Sequence, residues 1–221
     1  MLHKTRGVVF RFTRYGESSI IVNIFTAQFG LQGYIVKGVR SKASRGKIAL
    51  FQPLSLLDLV VYHRENANLM HIREAKCIHL YQYVSTDVHK TTIALFITEI
   101  LNRAVKEQSH AADLCEFLIS SLIELDQSNK VENFHLVFLV QLSKWLGFQP
   151  QSTDEVLEGR QLDDGEERAL LEVLKADFST PLQITNEQRR TLLDVLVFFY
   201  ARHIDGFGHL KSVSVLREIL Q

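Results

Sequence analysis

The residues best equipped for chemistry in this chain are cations gathered in one place. Lys37, Arg40, Lys42, Arg45 and Lys47 occur within residues 37–47 with no carboxylate among them. Gly38, Ser41, Ala43, Ser44 and Gly46 supply small spacers between them. A run of this kind is expected to act as a cationic arm that follows a polyanion, because each Lys or Arg that meets a phosphate releases a condensed counterion. A segment of that length without regular structure inside a compact module is unusual unless it carries function. A loop kept polar only to remain solvated is the plainer account of the same residues.

Other chemistries find less support. "GVRSKASRGK" lacks the Gly-x-x-x-x-Gly-Lys-Ser/Thr order that cradles nucleotide phosphates, and it opens no helix. Cys77 and His79 would share a strand face, yet a structural zinc takes four ligands and no Cys-x-x-Cys unit occurs. No Gly-x-Ser-x-Gly elbow is present. The acid pairs Asp154/Glu155, Asp163/Asp164 and Glu166/Glu167 read as solvated loop acids and first-turn helix charges rather than paired catalytic carboxylates. Neither a catalytic residue, a cofactor nor a metal is expected. Tyr15, Tyr34 and Tyr62 are candidates to stack on bases, Tyr34 foremost because it directly precedes the cations, although some tyrosines must fill the barrel and core packing is the commoner role for each.

Formal charge is zero, but the halves differ sharply. Residues 1–80 hold twelve Lys/Arg against four Asp/Glu, and since the whole chain has 25 of each, residues 81–221 carry a matching surplus of eight acids. That split predicts different partners for the two halves, one of them a polyanion. A hydrophobic content of 46% across 221 residues is enough for a substantial core. Apolar runs such as "LLDLVVY" and "VLVFFYA" are too short to cross a bilayer, and the opening "MLHKTRGVVFRFTR" does not read as a signal peptide. Two cysteines, Cys77 and Cys115, are expected as reduced thiols in a cytoplasmic protein.

Positioning these residues falls to two kinds of element. Through the first eighty residues the apolar pattern alternates, predicting strands. Val8, Phe10 and Phe12 should share one face, opposite Val9, Arg11 and Thr13; Ile20, Val22 and Ile24 should face away from Ile21, Asn23 and Phe25. "LQGYIVKG", "PLSLLDLVVYH" and "ANLMHIREAKCIHL" continue the series, with turns at "RYGES", "QFG", the basic stretch and "RENAN", where Asn66 and Asn68 suit a hairpin. About five such strands fit a small barrel of the oligonucleotide-binding (OB) type, with an SH3-like barrel as competitor.

From Asp87 onward the period becomes helical. Ile93, Phe96, Ile97, Ile100 and Leu101 form one stripe, and Leu114, Phe117, Leu118, Leu122 and Leu125 the next. A capping box at Asn129/Glu132, a C-cap at Gly147 and a second box at Thr185/Gln188 bound later helices, while "FQPQSTDEVLEGRQLDDG" reads as loop. The expectation is an α+β multidomain chain. Residues 1–80 form an N-terminal five-stranded OB-fold β-barrel and residues 81–221 a C-terminal all-α helical domain, joined near "LYQYVSTD".

The opening "TRGVVFRFTRYGESSIIVNIFTAQFGLQGYIVKGVRS" and the tail "YARHIDGFGHLKSVSVLREIL" together resemble the bacterial recombination mediator family RecO. That resemblance implies a DNA-binding barrel and a helical domain for protein interactions. It implies binding of single- and double-stranded DNA, strand annealing, and cooperation with RecR to load RecA onto strands covered by the single-stranded DNA-binding protein SSB. It also implies a cytoplasmic, nucleoid-associated location, with no membrane partner. Carried over by position, Lys37, Arg40, Lys42, Arg45 and Lys47 match the family's cationic region, with Arg11 and Arg14 as neighbours on the barrel. Many relatives also hold zinc through four cysteines near where residues 148–165 lie; no cysteine stands there in this chain. An RNA-binding barrel, or a scaffold whose arm grips an acidic protein, accounts for the same charge pattern.

Overall fold

A computed structural model describes residues 1–39, 47–64, 67–106 and 110–220. The chain divides into two compact units, one of Met1–Tyr81 with Val105–Ile123 and one of Gln82–Ala104 with Glu124–Gln221. Arg40, Lys42 and Arg45 of the basic stretch, and Asn66 of the expected hairpin, fall outside the described residues.

Five strands make the first unit: β1 (Leu2–Tyr15), β2 (Ser19–Thr26), β3 (Gly30–Val36), β4 (Leu56–Tyr62) and β5 (Met70–Cys77). They close in the order β1-β2-β3-β5-β4, the barrel of OB type that the alternation predicts. β1 can serve two neighbours because of its length, pairing β4 through Leu2–Val8 and β2 through Gly7–Tyr15. Ile20, Val22 and Ile24 of β2 face the interior with Tyr34 of β3, Leu57, Leu59 and Val61 of β4, and Met70 of β5. Gly7 has no room for a side chain there: a Cβ would lie 2.7 Å from Ile24 Cγ2 and 2.9 Å from Phe25 O.

The alternation expected for β1 breaks once. A bulge between Val9 and Arg11 turns the strand over, so Val9 and Phe12 both meet the core while Phe10 stacks on Phe25 at 5.8 Å on the other side. Val8, Phe10 and Phe12 therefore do not share a face. The outer apolar patch is covered by the start of helix α2 (Ala111–Gln127), where Cys115 Sγ lies 3.7 Å from Arg6 O and 3.9 Å from Phe25 O. Burial, with Glu116 beside it, pushes the Cys115 thiol up to about 12, so it stays protonated and unreactive.

The second unit contains α1 (Val88–Ala104), α3 (Phe134–Trp145), α4 (Thr153–Leu157), α5 (Asp164–Lys175), α6 (Asn186–His203) and α7 (Ser212–Ile219). The stripe Ile93, Phe96, Ile97, Ile100 and Leu101 is buried along α1. Ahead of that helix, the buried Asp126 carboxylate accepts the backbone N–H groups of Gln82, Tyr83 and Val84 at 2.8–3.1 Å. At the other end of α1, Arg103 donates to Phe207 O at 2.7 Å and Glu99 accepts from Lys211 N, Ser212 N and Ser212 Oγ. Burial would push the Glu99 carboxyl up, but these bonds together with Arg103 outweigh it and hold the pKa low. The "GFGHLKS" tail is thereby a structural clasp that starts α7. A side chain at Gly208 (φ +65°) would bring a Cβ within 2.9 Å of Arg103 Nη1.

Two local expectations are corrected. The cap of α3 is Asn133, with no side-chain cap bond; it reaches Leu182 O and the Arg189 guanidinium instead. The box at Asn129/Glu132 lies before the helix. Residues 148–165 are not all loop, because Ser152 caps the short α4 by accepting from Glu155 N. This segment is held by packing and charge. Val156 is buried, Glu158 pairs with Arg202 at 3.0 Å, Arg160 lies 3.6 Å over the Phe198 ring, and Phe148 stacks on His203 at 4.8 Å. The box at Thr185/Gln188 is present on α6, and Gly147 takes φ +86° after α3.

Candidate nucleic-acid interface

Register decides where each barrel side chain points, since residues directly opposite one another on neighbouring strands share a face. Arg14 pairs with Ile20, and Ile20 with Val36. Arg14 and Lys37, which directly follows Val36, therefore lie at one end of the barrel, beside the β1–β2 turn. Arg11 pairs with Asn23, and Asn23 with Gly33, on the outer surface about 10 Å back along β1, at roughly 3.3 Å per residue. Arg11, Arg14, Lys37 and Lys47 are all exposed. Among the described residues, none of the four makes an ion pair with a carboxylate.

Both described ends of the basic stretch are anchored. Val39 is buried in the barrel core, and beyond Lys47 the 3-10 turn Lys47–Phe51 lays Ile48, Leu50 and Phe51 against the same core. No Asp or Glu occurs anywhere from Ser18 to Leu57. The first unit's other cations are matched differently. Arg6 stands opposite Asp58, and Asp58 opposite Lys76, while Arg6 donates to Glu116 at 2.5 Å. A groove of about 740 Å³ lined by Lys4, Arg6, Lys76, Asp58 and Glu74 therefore mixes both signs of charge. Arg11, Arg14, Lys37 and Lys47 lie outside the lining of that groove.

The tyrosines reverse their expected order. Tyr34 is fully buried between Val22 and Met70, and burial pushes its phenol up to about 12, so no ring face is open to a base. Tyr15 and Tyr62 are 51% and 45% exposed. The signal was available in the hairpin. If "QFG" turns the chain between Thr26 and Gly30, Tyr34 must oppose Val22 and join the apolar face of β2. His71 was missed as well; it is exposed on β5 directly opposite Tyr62. The Cys77 thiol donates to His79 O at 3.0 Å. Among the described residues no cluster of three or more His, Cys, Asp or Glu side chains is suited to a metal.

The barrel closure and the helical second unit define the OB fold class with an appended helical region. The N-terminal region of recombination protein O matches residues 1–81, and the C-terminal region of the same family matches residues 85–166. The DNA repair protein RecO of Flavobacterium johnsoniae is 34% identical across 98% of both chains. Those of Christiangramia forsetii and Bacteroides fragilis are 33% and 31% identical across 99% of both. The chain belongs to the RecO family.

Proposed function

We propose that this chain is a non-catalytic DNA-binding recombination mediator in DNA repair, which binds and anneals single strands and assists RecA loading together with RecR. The observation that carries the reading is the set of exposed barrel cations that make no ion pair with a carboxylate among the described residues, beside a stretch of chain free of acids from Ser18 to Leu57. The relatives bearing the name DNA repair protein RecO supply the context. Two complementary strands repel through their phosphates, and cations shared between them lower that repulsion while leaving base edges free to pair. Residues 81–221, with their surplus of acids, are repelled by the same backbone and serve protein partners, RecR and SSB among them. Among the described residues no helix is long and apolar enough to cross a membrane, in keeping with action beside the nucleoid.

Annealing of complementary oligonucleotides across a salt series, with bare and SSB-covered strands, tests the proposal. If the five cations of residues 37–47 each meet one phosphate, log affinity for single strands falls with log salt at a slope of about −3 to −4. Replacing Arg40, Lys42, Arg45 and Lys47 by Ala should flatten that slope and slow annealing. An unchanged slope removes the basic stretch from the mechanism. A preference for RNA over a matched DNA strand in competition overturns the DNA assignment.

A further inference from the structure

Following the register around the outside of the barrel gives a row that no charge interrupts. Thr13 opposes Ile21, Ile21 opposes Ile35, Ile35 opposes His71, His71 opposes Tyr62, and Tyr62 opposes Leu2. The inner row beside it, Tyr34, Met70, Ile72 and Val61, is core, so the outer assignment follows from alternation. Tyr62 and His71 are exposed, and Ile21 and Ile35 are half-buried. Leu69, itself 41% exposed, lies over Gly33, where a Cβ would approach its Cδ2 to 3.1 Å. The span Ile21–Ile35–His71–Tyr62 crosses four strands, about 14 Å at roughly 4.8 Å per strand.

Such a surface combines two ring systems with branched aliphatic neighbours, bordered on β1 by the unpaired Arg11 and at the end of β3 by Lys37. A protein partner with an acidic surface would meet the same cations and bury the same rings, so wild-type single-strand affinity in variants that lack the rings would assign the row to such a partner. Duplex DNA would present phosphates to the cations and keep its bases stacked internally. A strand with unpaired bases uses both features, because its phosphates meet the cations and its bases find aromatic and aliphatic surfaces.

We infer that the outer row Ile21–Ile35–His71–Tyr62 is a base-stacking platform that makes the barrel select unpaired over paired nucleic acid. This rests on the nucleic-acid reading above and adds to it the residues that discriminate unpaired from paired strands. Tyr62 and His71 act through ring faces and van der Waals contact, whereas the cations act through salt-dependent contact with phosphates. The two contributions are separable.

The experiment measures binding of the full chain to a fluorescent single-stranded oligonucleotide and to its duplex, each across a salt series, for wild type, Tyr62→Ala, His71→Ala and Tyr62→Phe. Each Ala variant is expected to weaken single-strand binding by between about 5-fold and 100-fold, leaving the salt slope and the duplex affinity unchanged, and Tyr62→Phe should retain binding. Equal losses on both substrates, a changed slope with no loss of selectivity, or wild-type affinity in both Ala variants overturns the platform while the cationic mechanism stands. A wild-type protein that binds neither substrate overturns the nucleic-acid reading itself and the platform with it. Thermal melting of each variant separates lost binding from lost folding.

Discussion

The two units use the same residue types in opposite ways. In the helical unit, charged side chains are structural connectors. Asp126 ties down the segment before α1, Glu99 and Arg103 hold the tail that starts α7, and the buried Arg189 reaches Asn133, Asn186, Ile184 O and Leu220 O. In the barrel, Arg11, Arg14, Lys37 and Lys47 stand exposed without a carboxylate among the described residues. Cohesion there comes from strand pairing and an apolar interior. These charges of the helical unit are therefore held by the fold, whereas these four barrel cations remain available. The overall balance of 25 acids and 25 bases conceals this division of labour.

Mutation should expose the contrast, beginning with Asp126. Asp126→Ala leaves three backbone donors without their acceptor, at about 1–3 kcal/mol for each that stays dry, so urea unfolding should show a loss of at least about 3 kcal/mol. A loss below about 1 kcal/mol would mean that water replaces the carboxylate and that the contrast is overstated.

A smaller effect comes from pH. His135 is buried against Phe96 at 6.2 Å, and burial, with Arg189 adding to it, brings its pKa down to about 3. A base whose pKa is depressed by folding contributes stability that is full above its unfolded value near 6.5 and is lost as pH falls towards 3. Between pH 6.5 and 5 that contribution should shrink by up to about 2 kcal/mol, at roughly 1.4 kcal/mol per pH unit. His135→Phe should flatten this part of the stability profile. An identical slope in the variant would assign the acid sensitivity to other groups.

The least change in stability belongs to the barrel cations. Replacing Arg11 and Arg14 together by Ala should move the unfolding free energy by no more than about 0.5 kcal/mol, as for surface positions without partners. The same change should weaken DNA binding and make the salt slope shallower by about 1.4, taking 0.7 per phosphate contact on a single strand. A variant that loses stability but keeps its slope would place these arginines among the connectors.

Much of this arrangement is legible in the chain. The apolar face of β2, the stripes of α1 and α2, the box at Thr185/Gln188 and the segregation of charge all follow from periodicity and composition. The exceptions have local causes. The bulge at Phe10 cannot be seen in an unbroken run of alternating residues, because it exists only in relation to the partner strand. The cap at Asn129/Glu132 fails because Asn133, four residues on, is recruited by Arg189 from a different helix. Tyr34 precedes the cations in sequence, but its register opposite Val22 turns the ring into the core.

The amino-acid sequence alone determined the strand and helix periods, the inward residues within each element and the excess of cations in the first eighty residues, since these depend on neighbours a few positions apart. Tertiary structure decided which ring is a core filler and which an exposed surface, which cations meet carboxylates, and which carboxylate clasps which backbone. Those outcomes come from barrel closure and from contacts such as that between Glu99 and Ser212, which join residues remote in the chain. A local pattern states what a side chain prefers; the partner that satisfies it is supplied by the fold.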